Sequence, residues 1–330
     1  MSADRPDEFE TIASLFRPLT EGDPVARDLL DDAAVLPSRA GQDLVLTKDA
    51  IVEGVHFLHG DPLDLVARKL LRVNLSDLAA KGAEPFAYLL MAAWPRGVGT
   101  LGKQAFADGL AEDQKTFGVH LLGGDTTSIP GPLTFSMTAL GWVPHGRSPS
   151  RAGARPGDVV LVSGAIGDGW LGLKAARGEL GALEEGRVEA LLRHYRLPEP
   201  RLPLLRLIRE AATASIDVSD GLVADLGHIA AASGVGITLD LDKVPHSRAA
   251  KAWLEHRADP VMSRIDLATG GDDYEIACTV RPEHVDLMLK GGERAGVQMT
   301  VVGQVDAGEG VQVVVDGHAV AIERTGWRHG

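Results

Sequence analysis

The feature that most constrains this chain is a recurring pattern in which a short apolar run leads, often through glycine, to aspartate. It reads Leu44-Val45-Leu46-Thr47-Lys48-Asp49 and Leu121-Leu122-Gly123-Gly124-Asp125 in the first half. In the second half it reads Ser215-Ile216-Asp217-Val218-Ser219-Asp220-Gly221 and Gly270-Gly271-Asp272-Asp273-Tyr274-Glu275, with Asp31-Asp32 and Asp77 completing the set. The apolar runs have strand length, so the aspartates are expected at strand ends. A carboxylate beside apolar structure costs free energy unless a cation meets it. Oxygen-only clusters suit magnesium, held by a few carboxylates together with substrate phosphates. The set therefore predicts a magnesium-dependent enzyme acting on phosphates. One such aspartate alone reads as an ordinary turn or cap residue; the set with its glycines favours metal.

Composition bounds the alternatives. The 330 residues suffice for two domains, and 45% hydrophobic content supports a sizeable core. The formal charge of −13, from 46 acidic and 33 basic residues, argues against nucleic acid or an anionic membrane as partner. Metal ions reconcile that charge with phosphate substrates, because they reverse the local sign of a carboxylate cluster. A single cysteine, Cys278, rules out an internal disulfide and fits a cytoplasmic location. The polar, acidic start of the chain does not read as a signal peptide. No run of about 18 apolar residues predicts a membrane span.

The spacing predicts helices over 8–16, 64–81, 99–117, 170–178 and 202–212, and one opening at 217–221 and running to Ala232. Strands are predicted over 33–36, 43–49, 87–93, 119–122, 133–143, 158–163, 235–241, 274–280, 298–302 and 311–315. In the helix over 64–81, Asn74 and Asp77 share a face. The Pro-, Gly-, Ser- and Arg-rich stretch 144–157 reads as a linker, giving domains 1–150 and 151–330.

Three motifs carry chemistry. Gly164-Ala165-Ile166-Gly167-Asp168-Gly169, between a strand and a helix, suggests amides facing an anion, or simply a tight turn; it is neither a Walker loop nor a full dinucleotide fingerprint. In Gly123-Gly124-Asp125-Thr126-Thr127 the glycines allow backbone to approach a ligand, and the following oxygens can serve a metal-bound phosphate. Ser215 to Gly221 places more polar side chains at a helix start than capping needs. His56 and Trp327 are open to structural or ligand roles. Cys278 alternates with Ile276 and Val280 and is expected in the core.

Together the segments 31–35, 73–80, 123–127, 215–222 and 270–275 resemble the thiamine-monophosphate kinase family, within the superfamily related to aminoimidazole ribonucleotide synthetase. The resemblance covers nearly the whole chain. It implies an α+β fold of two mixed α/β-layer domains. The N-terminal domain would bind ATP and metal and pair into a barrel in a homodimer; the C-terminal domain would complete the active site. The implied reaction is direct transfer of the ATP γ-phosphoryl group to thiamine monophosphate, with magnesium. By the same resemblance Asp32, Asp49, Asp77, Asp125, Asp217 and Asp220 would hold several magnesium ions, with Thr47 and Lys48 in the metal segment. Phe117, Gly124, Asp125, Arg151 and Ser219 would meet ATP, and His56, Asp272 and Trp327 the thiamine side.

Three departures stand out. Asp28-Leu29-Leu30-Asp31-Asp32 replaces a glycine-rich entry, Lys48 replaces a small hydroxyl residue, and Asp272 replaces a glutamate. Lys48 is expected beside the phosphates, or in solvent if strand alternation turns it away. An acceptor phosphate is already ionised at neutral pH, so catalysis reduces to positioning and charge neutralisation and needs no covalent nucleophile. The competing readings are another ATP-using synthetase of the superfamily and a nucleotide-binding regulator without turnover. An N-terminal reactive cysteine, which a selenophosphate synthetase would need, is absent, as is the C-terminal cysteine of the hydrogenase-maturation members.

Overall fold

The computed structural model describes residues 8–181 and 183–327. It divides into two compact units, Met1–Leu78 with Glu84–Gly146, and Ala79–Ala83 with Arg147–Gly330.

The first unit opens with α1 (Glu8–Thr11), which passes into a π turn at Ile12–Phe16 and a 3-10 turn at Arg17–Thr20. Leu15 and Phe16 are buried, whereas Phe9 is 78% exposed, so only part of the predicted apolar face is used. No strand forms at 33–36. That run meets Pro37, which lacks the amide donor a ladder needs. The unit continues through β1 (Gln42–Val52), α2 (Leu63–Ala80), β2 (Glu84–Pro95), α3 (Thr100–Phe117), β3 (His120–Ile129) and β4 (Thr134–Pro144). The sheet order is β1-β4-β2-β3, with β2 and β3 parallel across the α3 crossover and the other pairs antiparallel.

One face of this sheet carries the core. Phe135 of β4 stacks on Phe106 of α3 with centroids 4.2 Å apart, and Trp94 of β2 meets both edge-on. Between α2 and α3 the fully buried Asp113 receives Arg72 through Nε at 2.6 Å and Nη2 at 3.0 Å, and Arg68 through Nε at 2.9 Å. The opposite sheet face leaves Leu46 (61%) and Leu89 (38%) exposed.

The second unit contains β5 (Val159–Ser163), α4 (Asp168–Ala176), α5 (Glu185–Arg196), α6 (Leu205–Ala211), β6 (Ala212–Val218), α7 (Leu222–Ser233), β7 (Gly236–Asp240), α8 (Arg248–Glu255), α9 (Pro260–Thr269), β8 (Glu275–Val280), α10 (Val285–Arg294), β9 (Met299–Asp306), β10 (Gly310–Val315) and β11 (His318–Val320). Its sheet order is β11-β10-β7-β9-β5-β8-β6, antiparallel except for β10 beside β7. Every residue of β8 is buried, and Cys278 packs with Ile276 and Val280 as expected. Among the described residues no helix is long and apolar enough to cross a membrane.

Candidate active site

The aspartates do not uniformly end strands. Asp49 and Asp125 lie inside β1 and β3, Asp77 lies on α2, and Asp32 is in the irregular segment before β1. Asp217 is the next-to-last residue of β6, and Asp220 follows in the turn to α7. Ser215 and Asp217 therefore belong to a strand, not to the helix opening expected over 217–221.

In the first unit the Thr47 hydroxyl donates to the Asp77 carboxylate, and the Asp49 amide donates to Asn74 Oδ1 at 3.1 Å. One strand thus meets one face of α2 through an oxygen-only set of Thr47, Asp49, Asn74 and Asp77. Strand alternation turns Lys48 to the other side of β1, where it is exposed. The Lys48 side chain is therefore not brought together with those of Thr47, Asp49 and Asp77.

Asp125 lies elsewhere. The next residue, Thr126, accepts from Trp94 Nε1 at 3.0 Å on the helix-covered face, so Asp125 points to the open one. The registers place Asp49 opposite Met137, Met137 opposite Leu90, and Leu90 opposite Gly124. Three inter-strand steps, about 14 Å, separate the β1 and β3 edges. Asp49 and Asp125 of one chain cannot share an ion. Gly124 has a φ of 154°, and a Cβ there would lie 1.8 Å from the Leu90 carbonyl oxygen. The neighbouring strand already demands this glycine, without any ligand.

The remaining residues of the first unit are placed singly. His56 Nδ1 accepts from the Val52 amide at 3.1 Å. Phe117 closes α3, half-buried, with the Arg72 guanidinium 5.1 Å from its ring centroid. Asp32 is exposed beside the Arg27–Asp31 ion pair.

In the second unit the turn Ser219-Asp220-Gly221 gathers the expected residues. Its carbonyls and that of Val218 accept in sequence: Val218 from the Tyr274 amide at 2.8 Å, Ser219 from the Asp272 amide at 2.8 Å, and Asp220 from the Trp327 amide at 2.9 Å. Asp272 (φ 66°) and Tyr274 (φ 52°) adopt the left-handed region, which is uncommon for non-glycine residues and less so for aspartate than for tyrosine. Arg151 is exposed on the linker, and its carbonyl accepts from Ser233 Oγ at 3.2 Å.

The sequence did not single out Asp225. Its Oδ2 accepts from the amides of Ser219 (3.1 Å), Asp220 (3.1 Å) and Gly221 (3.2 Å). Asp220, Asp225 and His228 each bring a ligand atom within 4.8 Å of the others. Burial first, then the neighbouring Asp220, push the Asp225 carboxyl up to about 7. The spacing Asp220, Asp225, His228 across a helix start was a signal that could have revealed it.

The glycine-rich loop 164–169 does not await an external anion. The Gly167 and Gly169 amides bind the buried Asp273 carboxylate at 2.9–3.0 Å, and the Ala165 amide binds Glu275 at 3.3 Å. A cavity of about 760 Å³ beside this loop contains none of the predicted site residues, and two of its charged groups, Arg201 and Glu275, pair with each other.

Family models agree with this architecture. The N-terminal domain model of AIR synthase related proteins matches residues 30–143, and the C-terminal domain model matches residues 155–316. A thiamine-monophosphate kinase of Caulobacter vibrioides is 54% identical over 98% of this chain and 91% of its own length. The crystal structure of thiamine-monophosphate kinase from Stenotrophomonas maltophilia K279a superposes with a TM-score of 0.82 at 36% identity, covering 94% of this chain and 97% of that one. AaThiL, solved in complex with AMPPCP and TMP, superposes over the whole of both chains with a TM-score of 0.78 at 30% identity. The two-domain α+β fold with its acidic turns defines a member of the AIR synthase related proteins. Within them, the chain belongs to the thiamine-monophosphate kinase family.

Proposed function

We propose that this protein transfers the γ-phosphoryl group of ATP directly to thiamine monophosphate, giving thiamine diphosphate and ADP. The observation that carries the reading is the near full-length identity of 54% to a thiamine-monophosphate kinase, joined to the fold match with a complex holding AMPPCP and TMP. Ser219, Gly124, Asp125, Arg151 and Phe117 serve the nucleotide in this reading, and His56, Asp272 and Trp327 the acceptor.

Magnesium fits the donor chemistry, since Thr47, Asp49 and Asp77 form an oxygen-only group and Asp217 and Asp220 lie within four residues of each other. Asp32 and Asp125 complete the proposed holders. Bound there, the metal would supply positive charge against two phosphate-bearing substrates. The protein's own part is to orient both substrates and exclude water, which suffices where no general base is required.

The open face of the first unit's sheet, with Leu46 and Leu89 exposed, supports a homodimer closing over it. Domain roles follow the same reading: residues 1–150 bind ATP and metal and dimerise, and 151–330 complete the site. A cytoplasmic location fits the single buried thiol.

The test measures ADP and thiamine diphosphate released from ATP, with and without thiamine monophosphate and with and without a chelator, alongside calorimetric titration of magnesium and sedimentation. Acceptor-dependent, chelator-sensitive formation of thiamine diphosphate by a dimer is expected. Acceptor-independent ATP hydrolysis would return the chain to another branch of the superfamily.

A further inference from the structure

We propose that Asp225 is a positioning residue that fixes one turn from which both halves of the active site hang. The inference rests on the kinase reading above for the roles of Ser219, Asp220, Asp272 and Trp327. Its structural basis is the hydrogen-bond pattern of three consecutive peptide groups. The amides of Ser219, Asp220 and Gly221 converge on a single Asp225 oxygen, while the carbonyls of Ser219 and Asp220 hold the backbones of Asp272 and Trp327. The nucleotide-side residues are on the turn itself; the acceptor-side residues are tied to its opposite edge.

Ordinary helix capping does not account for this arrangement. An N-cap side chain bonds one amide of the first turn, and a capping-box residue reaches back to one amide at the cap. Gly221 is the N-cap of α7, and Asp225 is the fourth residue inside the helix. It reaches back to three amides at and before the cap, two of them outside the helix. Asp225 is 2% exposed, so solvent does not readily replace it. Neighbouring backbone also closes around the turn: a Cβ on Gly271 would meet the Ser219 carbonyl oxygen at 2.6 Å, and one on Gly326 would meet the Asp220 carbonyl oxygen at 2.6 Å. Loosening the amide side should therefore move Asp272 and Trp327 as well as Ser219 and Asp220.

The experiment compares Asp225→Ala and Asp225→Asn in the full chain by hydrogen exchange without ligand and by calorimetry. The calorimetric probes are thiamine monophosphate and a non-hydrolysable ATP analogue with magnesium. Asp225→Ala should speed exchange of the Ser219, Asp220 and Gly221 amides by about tenfold or more, with the later turns of α7 unchanged. It should weaken both ligands by about tenfold each. Asp225→Asn keeps an acceptor oxygen at the same reach and should restore protection and both affinities to within about threefold. Unchanged protection in Asp225→Ala, loss of only one ligand, or equal loss in Asp225→Asn would overturn the proposal. Should Asp225→Ala fail to fold, Asp225→Ser, whose oxygen falls short of the amides, goes through the same comparison. Exchange needs no ligand, so failure of the wild type to bind thiamine monophosphate would count against the kinase reading alone.

Discussion

The amide of Trp327 donates to the carbonyl of Asp220 at 2.9 Å, which places the indole of the chain's tail beside the turn that carries a predicted metal ligand. Trp327 is 47% exposed, and the Arg324 guanidinium lies 5.6 Å from its ring centroid. Because the anchoring bond is made by the backbone, Trp327→Ala removes the ring and leaves the anchor. A thiazolium cation over an indole face is worth about 0.5–2 kcal/mol. The KM for thiamine monophosphate should rise about threefold to thirtyfold, with the KM for ATP moving much less. Steady-state kinetics with each substrate varied checks this, and equal rises in both KM values would assign the ring to packing.

Asp77→Asn and Asp125→Asn each remove one charge at nearly constant shape. Each should lower kcat by about a hundredfold or more, the scale of one lost electrostatic contact to a reacting group. Melting temperatures should stay near that of the wild type. Asp77→Asn can still bond Thr47, so its loss isolates charge from hydrogen bonding. Folded variants with near-normal turnover would make both residues structural.

Asp113→Ala tests a part of the fold that holds the packing between α2 and α3. It strips the fully buried carboxylate from Arg72 and Arg68, and uncompensated buried charge costs about 3–5 kcal/mol. The urea midpoint should fall accordingly with an unchanged slope. A shift below about 1 kcal/mol would mean that water or another acceptor reaches the arginines.

Burial pushes the Cys278 thiol up to about 12. A raised thiol pKa suppresses the reactive thiolate, leaving about one part in ten thousand at pH 8. Iodoacetamide should therefore modify Cys278 only after denaturation. Labelling of the native protein at the rate of a free thiol would show that β8 opens locally.

Long periodic elements were legible in the sequence because local pattern decides them: β1, α2, α3 and β4 match their expected spans to within a few residues. Strand β6 was not. Its residues Ala212–Val218 run directly on from α6 and into the polar turn, so no glycine or proline marks either boundary, and tertiary pairing with β8 alone makes it a strand. Helices α8 and α10 were also missed. They are short, and their apolar stripes are built largely from alanine or interrupted by glycine, as in Arg248-Ala249-Ala250-Lys251-Ala252-Trp253 and Leu289-Lys290-Gly291-Gly292. The site was legible as residue types but not as geometry. Which face of β1 or β3 an aspartate occupies depends on register and on the bulge between Tyr88 and Leu89, and nothing local in the sequence records either. The Gly164–Gly169 loop misled for a related reason. Its anions are Asp273 and Glu275 of the same chain, more than a hundred residues away.

Lys48 offers the sharpest test of that geometry. The sequence leaves it either beside the phosphates, next to Asp49, or turned to solvent by strand alternation. Along β1, Thr47 and Asp49 take one face and Lys48 the other, and the Thr47–Asp77 contact fixes which face meets α2. A lysine on the far side of the strand contributes little field at Thr47, Asp49 and Asp77, since exposed charges are screened within about 8–10 Å. Lys48→Thr should therefore leave the magnesium concentration for half-maximal rate within about twofold of the wild type, a difference below 0.5 kcal/mol. Titrating magnesium at saturating ATP and thiamine monophosphate measures it. A severalfold higher requirement would show that Lys48 acts across the open face, where Asp125 also points, and that the two sides of the sheet work in one site.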